Sequence, residues 1–366
     1  MCSDHGAHSP VGARAPVVRE APYAGEVIPL EPVESLSVTT VCDNTTDILL
    51  TDQGSAHRFP GRGAKVLTVA APTLEEGQVI DGPVAEHGFS VHVAVTKRGV
   101  VHRFLFDAGV SPNGCRDNLA RLGLAPTDLE AIVLSHGHFD HTTGLAGLVQ
   151  ALGRAGLPVV LHPEFWARRR IAVPGAEPSE LPTTSRSALS DAGFEIIESR
   201  HPSFLLDGSV LVTGEVDRTS GFETGFAVHQ AYRGASWEPD PLILDDQAVV
   251  VNVSGKGLVV ITGCGHSGIV NICRYARRLT GIDRIHAVLG GFHLSGPLFE
   301  PIIGATCDAL AELAPEVVVP AHCTGWKATH ALAARFPDNF IQNSVGTRFD
   351  LVSSGAPGGP QRRGRR

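Results

Sequence analysis

Residues 134–145, "LSHGHFDHTTGL", place three histidines and one aspartate within six residues: His136, His138, Asp140 and His141. The apolar run before them, "LEAIVL", predicts a buried strand. Side chains two residues apart on an extended strand point the same way, so His136 and His138 can bind one ion together. Asp140 and His141 lie on the turn into the next helix and can reach a second ion. Imidazole and carboxylate suit zinc, and also iron or manganese.

The amino-acid composition limits the classes of function that the chain can have. The chain has 366 residues, of which 43% are hydrophobic and 19% charged, enough for one large domain or two modest ones. Its formal net charge of −8 disfavours a nucleic-acid partner and an acidic membrane surface. The sequence has no apolar run long enough to span a membrane, and its first residues lack the apolar stretch expected of a secretory signal. The seven scattered cysteines do not suggest a disulfide framework. We therefore expect a cytoplasmic protein.

The two ends of the chain differ from its middle. Residues 1–35 are rich in Pro, Gly, Ala and Glu without periodicity, which predicts a flexible arm. Residues 36–350 are expected to form the folded domain. Within them, residues 163–245 are irregular and predict an insertion or substrate region. Residues 351–366, with four arginines, predict a disordered basic tail.

The middle of the chain repeats one order of elements. "FSVHVAV" and "VVHRFLFDAG" predict a hairpin, "NGCRDNLARLGL" a helix, and the next strand ends at His136. Later, "QAVVVNV" and "GLVVITGCG" predict a hairpin, "GIVNICRYARRL" a helix, and "IHAVLGGFH" a strand ending at His293. From Asp107 to His136 is 29 residues, and from Cys264 to His293 is also 29. We infer an α/β (α+β) fold of two duplicated halves, packed sheet to sheet with helices outside.

Several motifs carry a resemblance to a known family. "SHGHFDHTTGL" is similar to the His-x-His-x-Asp-His signature of the metallo-β-lactamase superfamily, and "FLFDAG" and "VVVPAHCTG" resemble its flanking motifs. "EHGFS", "DDQAVVV", "ITGCGHSGIVNI", "GGFHL" and "PAHCTGW" resemble the branch containing the 7,8-dihydropterin-6-methyl-(ribofuranosyl)aminobenzene-phosphate synthases. The resemblance covers about residues 36–350. It implies a four-layer αβ/βα sandwich with a metal centre at one edge of the two sheets.

A second group of candidate ligands lies in "TGCGHSGIVN". Cys264 ends a buried strand, where many superfamily members carry a bridging aspartate, so the chain departs from the pattern there. Thiolate and imidazole are both good zinc ligands. For Cys264, a small buried apolar residue is an equal alternative. For His266, two residues later, the ligand interpretation is favoured.

Two further histidines follow apolar strands. His322, in "VVVPAHCTG", occupies a stretch similar to the one that holds the superfamily's last histidine ligand. His293, in "GGFHL", is the partner of His136 in the duplication. A ligand, a substrate-binding group and a general acid are all open for His293. We rank the substrate or acid role first, because His322 better fits the last ligand position.

Three acidic residues are left with open roles. Asp245 lies 19 residues before Cys264, an interval that in the superfamily often separates a ligand histidine from the bridging acid. Asp245 is therefore predicted as a ligand, with two alternatives: an outer residue that orients ligands, and, with Asp246, a strand cap. Asp107 is expected to lie beside the cluster and orient it.

Other polar residues are less informative. Arg218, in "TGEVDRTSGFE", suits an anionic substrate or a surface ion pair, and the ion pair is slightly favoured. His162, followed by Pro163, is expected to be structural. The remaining histidines set aside for want of a supporting pattern are His5, His8, His57 and His330.

These residues predict a metal-dependent hydrolase with two zinc ions, or with manganese or iron. The ions would lower the pKa of water from about 15.7 to about 7, and the metal-bound hydroxide would attack an ester, phosphoester or related small molecule. Asp140 would position the nucleophile and His293 would protonate the leaving group. The expected partner is a small molecule, anionic or phosphorylated, and the oligomeric state is left open.

Other functions use the same fold. A pterin-type synthase would use the metal centre to activate a phosphorylated leaving group, as the branch resemblance implies. A di-iron redox protein is less favoured, because such members usually have Glu where this chain has His138, and carry a flavin domain. A non-catalytic metal-binding protein is the remaining alternative, disfavoured by the number of candidate ligands.

Overall fold

A computed structural model of the protein describes residues 18–21, 27–61, 66–153 and 156–353. The strands of these residues are β1 (Val18–Glu20), β2 (Ser35–Cys42), β3 (Ala56–His57), β4 (Thr68–Ala70), β5 (Gln78–Ile80), β6 (Ser90–Lys97), β7 (Val100–Phe106), β8 (Ala131–Val133), β9 (Pro158–Leu161), β10 (Arg169–Ile171), β11 (Ser179–Leu181), β12 (Glu195–Glu198), β13 (Ser203–Leu205), β14 (Val210–Val212), β15 (His229–Arg233), β16 (Ser236–Pro239), β17 (Ala248–Val253), β18 (Gly257–Thr262), β19 (Ile285–Gly291), β20 (Val317–Ala321) and β21 (Arg348–Val352). The α-helices are α1 (Gly114–Arg121), α2 (Leu145–Leu152), α3 (Arg186–Asp191), α4 (Ile269–Thr280), α5 (Ile303–Leu313) and α6 (Trp326–Arg335).

Two large mixed sheets organise the molecule. The first has the strand order β12-β9-β8-β7-β6-β2-β21-β3, and the second β1-β13-β14-β17-β18-β19-β20. In the first sheet β6 and β7 are antiparallel, and β8 then pairs parallel to β7. In the second, β17 and β18 are antiparallel, and β19 then pairs parallel to β18. The repeated order of hairpin, helix and parallel strand is therefore present in both sheets.

The alternation of apolar side chains explains how the two sheets pack. Along β17, Val249, Val251 and Val253 face a core shared with the first sheet, whereas Ala248 and Val250 face the other way. Successive side chains on a strand point to opposite faces, so a strand that is apolar at every position is covered on both sides. Such a strand needs a sheet on one face and helices on the other.

The outer faces of both sheets are covered by helices. Leucines of α1, α2 and α3 pack with β7, β8 and β9 on the first sheet. Residues of α4, α5 and α6 cover the second sheet. The layers are thus helix, sheet, sheet and helix, and the predicted α+β four-layer sandwich of two related halves is confirmed.

The segment predicted as an insertion, residues 163–245, contributes to several parts of the fold. Strands β10, β11, β15 and β16 form a separate four-stranded antiparallel sheet, which we call the accessory sheet. Strand β12 extends the first large sheet, and β13 and β14 extend the second. Only part of this segment is therefore additional to the two large sheets.

The ends of the chain are described in part. Strand β1 pairs with β13, and Ile28, Leu30 and Val33 are buried, so these residues pack on the domain although a flexible arm was predicted there. Residues 1–17 and 22–26 of the predicted arm lie outside the described residues. Strand β21 includes the first two residues of the predicted tail, whereas residues 354–366 lie outside the described part.

Two observations concern membrane insertion and disulfide bonding. Among the described residues, no helix is both long enough and apolar enough to cross a lipid bilayer. The six cysteines of these residues, Cys42, Cys115, Cys264, Cys273, Cys307 and Cys323, are free thiols.

Candidate metal centre

The candidate ligands meet where strands of both large sheets end. His136, His138, Asp140 and His141 follow β8, Cys264 and His266 follow β18, His293 follows β19, and His322 follows β20. One ligand atom from each of His136, His138 and His266 lies within 4.8 Å of the others, and we call these residues the first ligand group. The same holds for the second ligand group, Asp140, His141, Cys264 and His322. Cys264, His266 and His293 form a third such set that joins the two groups.

The loop after β8 is tightly packed. The rings of His136 and His138 are edge to face at 4.5 Å, with Nε2 of His136 2.9 Å from Nδ1 of His138. A Cβ atom on Gly137 would lie 2.1 Å from the carbonyl oxygen of Phe165, so glycine is needed between the two histidines. The two histidines approach each other, but they lie in the loop after β8 and not on the strand that was predicted to carry them.

Asp107 orients the loop after β8 through contacts with Ser135 and His141. Its Oδ1 accepts a hydrogen bond from the Ser135 amide at 2.7 Å, and its Oδ2 accepts one from the Ser135 hydroxyl at 2.7 Å. Oδ2 also lies 2.7 Å from Nδ1 of His141, and Ser135 Oγ lies 2.9 Å from Nδ1 of His136. Asp107 therefore holds the Nδ1 side of two candidate ligands and leaves each Nε2 directed into the site.

The second ligand group is compact. Nε2 of His141 lies 3.2 Å from the Cys264 sulfur, and Nε2 of His322 lies 3.2 Å from Oδ2 of Asp140. The His322 backbone amide donates to Asp43 at 2.7 Å, and its Nδ1 lies 3.2 Å from Asn44. These supports fix the histidine in place.

Three site residues have strained backbone conformations. The φ angles of Asp107, His293 and His322 are +59°, +43° and +49°. Non-glycine residues in this region cost roughly 1–3 kcal/mol each and are concentrated at functional sites. Glycine would relieve the strain at these positions. We therefore attribute the presence of Asp107, His293 and His322 to a need for their side chains.

Charge at the first ligand group favours neutral imidazoles. Burial lowers the pKa of His136, His138 and His266 well below its ordinary value, and neighbouring histidines add to the effect. Both ring nitrogens of His266 are buried without a hydrogen-bond partner among the described residues, as is Nδ1 of His293. Buried nitrogens of this kind are costly unless they bind something. A divalent cation fits this donor set, because neutral imidazole is its usual ligand form.

The second ligand group has a different charge. Burial alone would raise the pKa of Asp140, but His141 and His322 outweigh it and lower that pKa below its ordinary value. Burial likewise opposes protonation of His141, yet Asp107 and Asp140 raise its pKa to about 9. Burial raises the pKa of the Cys264 thiol well above its ordinary value. A cation bound here must therefore displace protons, as metal ions do at imidazole and thiol ligands.

Asp245 lies outside the ligand groups. Its Oδ2 accepts from the Gly137 amide at 2.8 Å, and its Oδ1 accepts from the Arg169 guanidinium at 2.6 Å. Asp245 was predicted as a ligand, but it is not one of the residues whose ligand atoms come together, and its contacts are those of the orienting role left open for it. Asp246 does the same for the facing loop, since it accepts from the Ser267 amide at 2.8 Å. Burial raises the pKa of Asp246 to about 6.

Arg218 makes contacts that neither of its two predicted roles included. Its guanidinium donates to the backbone carbonyl oxygens of Glu223, His266 and Leu242. These contacts hold the loop of His266, and a role towards a substrate stays a prediction. Its neighbour Asp217 forms the exposed ion pair instead, with Arg278.

Sequence patterns missed several residues of the site. His229 of the accessory sheet is fully buried, with Nε2 3.0 Å from Nε2 of His138. His87, in "EHGFS", lies at the entrance, 3.9 Å from Asp140, with its ring 5.1 Å from that of His322. The "DN" that follows β2, Asp43 and Asn44, was also unassigned. Of these residues only His87 lies in a motif that resembles the family branch, and that motif predicts no role for it.

The histidines set aside have other partners. Nε2 of His162 lies 3.0 Å from Glu215, and its Nδ1 accepts from the Glu164 amide, so it is structural. His57 pairs with Asp52 and Asp350. The His330 ring lies edge to face with that of Trp326. His5 and His8 lie outside the described residues.

Two cavities adjoin this region. The smaller, about 70 Å³, has His266 and His293 in its wall beside Phe222, Phe299 and Leu298. The larger, about 460 Å³, lies between α2 and α3 and has Phe139 in its wall. The smaller one is the cavity that touches candidate ligands, and its wall combines aromatic rings with polar groups, among them His266 and His293.

A family model described as the metallo-beta-lactamase superfamily matches residues 93–322, which include both ligand groups. The chain belongs to the metallo-beta-lactamase superfamily. The family that the motifs predicted is thereby confirmed.

Relatives of known sequence agree with the predicted branch. A 7,8-dihydropterin-6-methyl-4-(beta-D-ribofuranosyl)-aminobenzene-5'-phosphate synthase of Methanocaldococcus jannaschii is 29% identical over 266 residues, which are 72% of this chain and 89% of that protein. An uncharacterized protein of the same organism is 32% identical over 267 residues, which are 72% of this chain and 92% of that protein. The solved structure of Tm1679, a metal-dependent hydrolase of the beta-lactamase superfamily, aligns with a TM-score of 0.63 at 24% identity, over 87% of this chain and all of that one. This structural likeness concerns the fold.

Proposed function

We propose that the protein is a metal-dependent hydrolase of a small-molecule ester, phosphoester or related compound. The observation that carries the proposal is the pair of adjoining buried ligand groups, joined by Cys264, His266 and His293. One group offers neutral imidazoles, and the other combines imidazole, thiol and carboxylate. Two groups of this kind suit two divalent ions, which we take to be zinc, with manganese or iron as alternatives.

The two groups would hold one ion each. His136, His138 and His266 would hold the first, and the second group the other. Divalent ions bound there would supply Lewis acidity and a water whose pKa is lowered to about 7. The remaining steps fall to side chains of this chain.

Asp140 is placed to handle the nucleophile. Its carboxylate lies 3.2 Å from His322 and 3.8 Å from His141, and its side chain is 13% exposed, so water can reach it. The lowered pKa keeps it anionic at neutral pH. An anionic carboxylate in this place orients a water molecule and accepts its hydrogen.

His293 is placed to serve the leaving group. Its ring lies 4.1 Å from that of His266 and 4.4 Å from that of Phe299, in the wall of the smaller cavity. Nδ1 has no hydrogen-bond partner among the described residues. In this proposal His293 donates a proton to the departing oxygen, and the cavity holds the adjoining part of the substrate.

We propose a small-molecule partner, anionic or phosphorylated, and a cytoplasmic location.

A direct test is turnover of a panel of phosphodiesters, phosphomonoesters, carboxylic esters and lactones by the zinc-loaded protein, with and without chelator. We expect hydrolysis of at least one class, lost with chelator and restored by zinc. If the zinc-loaded chain hydrolyses none of them, the hydrolase proposal fails.

His293→Gln tests the role of the leaving-group acid. We expect kcat to fall by about 10²- to 10⁴-fold with a poor leaving group, and far less with 4-nitrophenolate, which needs no proton. Zinc content measured on the same sample should stay at two ions, because a loss of zinc would make His293 a ligand. His330→Gln is the matched control, since His330 is exposed and lies on α6.

A synthase of the pterin type is a second candidate. The observation that favours it is the 29% identity to the synthase of Methanocaldococcus jannaschii over 89% of that protein. The same ligand groups would then activate a phosphorylated leaving group, and a nucleophile other than water would attack. The aromatic rings of Phe222 and Phe299 in the wall of the smaller cavity are surfaces on which a planar ring can pack.

The synthase candidate is tested with its own substrates. The zinc-loaded protein is incubated with a dihydropterin carrying a methyl diphosphate and with an aminobenzene ribotide, and the products are separated by mass. A coupled product that depends on both substrates and on zinc would favour the synthase over the hydrolase. Absence of that product, with hydrolysis of the panel, would leave the hydrolase alone.

A further inference from the structure

His138 and His229 meet in an unusual contact. Both side chains are buried, and their Nε2 atoms are 3.0 Å apart. His229 belongs to β15 of the accessory sheet, whereas His138 belongs to the loop after β8. A contact between two imidazoles needs one donor and one acceptor, so the tautomer of each ring is decided by its other nitrogen.

The other nitrogen of His229 can only be a donor. Its Nδ1 lies 3.0 Å from the main-chain carbonyl oxygen of Asp240 and 3.3 Å from the Oδ2 carboxylate oxygen of the same residue. Both atoms are acceptors, so Nδ1 carries the hydrogen. With the ring hydrogen on Nδ1, Nε2 of His229 is the acceptor in this contact, and Nε2 of His138 donates to it.

The tautomer of His136 is fixed from the opposite side. Ser135 donates its hydroxyl hydrogen to Asp107, so its oxygen accepts from Nδ1 of His136. Nε2 of His136 is therefore also a lone pair. Because neutral His138 has a single ring hydrogen, and that hydrogen is on Nε2, its Nδ1 is bare as well.

Two bare nitrogens then face each other. Nε2 of His136 and Nδ1 of His138 are 2.9 Å apart with no hydrogen between them. A second proton on His138 would relieve the contact only as a buried imidazolium, which burial disfavours. A cation between the lone pairs relieves it without that penalty. Two nitrogens bound tetrahedrally to one zinc ion are about 3.3 Å apart, close to the observed separation.

We propose that His229, held by Asp240, is a positioning residue that fixes His138 as the tautomer with its hydrogen on Nε2, so that Nδ1 is the metal-binding atom. The inference rests on the metal-binding part of the proposed function and is independent of which reaction follows. It gives the accessory sheet a role, because that sheet supplies both His229 and, just after β16, Asp240. Outer partners of this kind typically contribute about 10- to 100-fold to metal affinity.

The first experiment compares zinc affinity, by chelator competition, in His229→Leu and His229→Gln. Leucine accepts no hydrogen bond, so affinity of the first ligand group should fall about 10- to 100-fold. Glutamine offers a carbonyl oxygen and should recover most of that loss. His162→Leu is the matched control, because His162 is also buried but contacts Glu215 and Glu164 outside the ligand groups. Wild-type affinity in His229→Leu would overturn the proposal.

Thermal unfolding separates positioning from a merely structural role. A structural role would lower Tm equally in metal-free and zinc-loaded protein. Positioning predicts that the zinc-induced rise in Tm is smaller in His229→Leu than in the wild type or in His162→Leu. An undiminished zinc-induced rise would count against the proposal.

Histidine ¹⁵N NMR of the zinc-loaded wild type gives a test that needs no folded variant. The expected signature of His138 is a hydrogen on Nε2 and a metal-shifted Nδ1. A hydrogen on Nδ1 would overturn the proposal. A wild-type chain that binds zinc as described but hydrolyses no substrate would remove the hydrolase and leave this inference standing.

Discussion

The two halves of the fold supply their candidate ligands in different ways. In the first half, four candidate ligands lie on one loop of six residues, His136 to His141, after β8. In the second half, Cys264 and His266 follow β18, His293 follows β19 and His322 follows β20. A single loop gives a recognisable sequence motif, whereas three strand ends give isolated residues that only the parallel sheet brings together.

The supports of the two halves also differ. Asp107 receives three contacts, from the amide and hydroxyl of Ser135 and from His141, and so holds residues of both ligand groups. The Asp246 carboxylate accepts from the amide of Ser267, in the loop of His266. The first half is therefore expected to depend on one carboxylate more than the second half does.

Removal of one ligand from each half should have the largest effect. We expect His136→Ala and His322→Ala each to lose one of two zinc ions, because each belongs to a different ligand group. The affinity loss should exceed the roughly 100-fold upper range of an outer partner. Elemental analysis after dialysis measures it. If either variant kept two ions, or lost both, the assignment of one ion to each group would be wrong.

The contiguous loop explains how much the sequence could predict. The spacing of His136, His138 and His141 after an apolar strand indicated a metal site, and the equal 29-residue intervals indicated two related halves. The family and the sandwich fold followed from these motifs and are confirmed. The roles of individual ligands stay predictions, although the structure brings together all the predicted ligands except Asp245.

The pH dependence of the free energy of unfolding allows a comparison of the two large sheets at positions away from the candidate metal centre. Burial, with Arg103 adding to it, lowers the pKa of His92 on β6 to about 4. Burial also lowers the pKa of His286 on β19, but Glu316, 2.9 Å away, opposes the shift. His92 stays neutral in the folded chain, so its contribution to stability is present above pH 6.5 and is lost as pH falls towards 4.

The expected loss in the wild type between pH 6.5 and 4 is about 3 kcal/mol from His92. Urea unfolding across this range, in metal-free protein, measures it. His92→Gln should flatten the pH dependence of the free energy of unfolding, and His286→Gln should flatten it less. An equal effect of both variants would mean that Glu316 does not offset the burial of His286.

Residues that no local pattern marks could not be predicted. His229 and His138 are 91 positions apart in sequence, and only the accessory sheet brings them into contact. Asp245 has a plausible ligand spacing, but the buried Arg169 occupies one of its oxygens, and spacing carries no information about such a partner. Arg218 likewise donates to three backbone carbonyl oxygens, and no sequence pattern indicates these contacts.

The two supporting carboxylates can be compared directly with Asp107→Asn and Asp246→Asn. Asparagine has one acceptor oxygen, so at position 107 it cannot accept from the Ser135 amide on one side and from the Ser135 hydroxyl and His141 on the other, as the two carboxylate oxygens do. We expect zinc affinity to fall about 10- to 100-fold in Asp107→Asn. In Asp246→Asn the amide oxygen still accepts from Ser267, so the loss should be below about tenfold. Chelator competition measures both, and equal losses would remove the difference between the halves.

Asp240→Asn should give the smallest effect, because it leaves the main-chain carbonyl that accepts from Nδ1 of His229 at 3.0 Å. The tautomer of His229 is then unchanged, and zinc affinity should fall less than about tenfold, against the larger loss in His229→Leu. Arg233, which donates to the Asp240 carboxylate at 2.9 Å, would lose an ionic partner. A modest fall in Tm, equal with and without zinc, is expected for that reason. If Asp240→Asn instead weakened zinc binding as much as His229→Leu, the carboxylate and not the carbonyl would be the group that holds His229, and the accessory sheet would act on the first ligand group through charge.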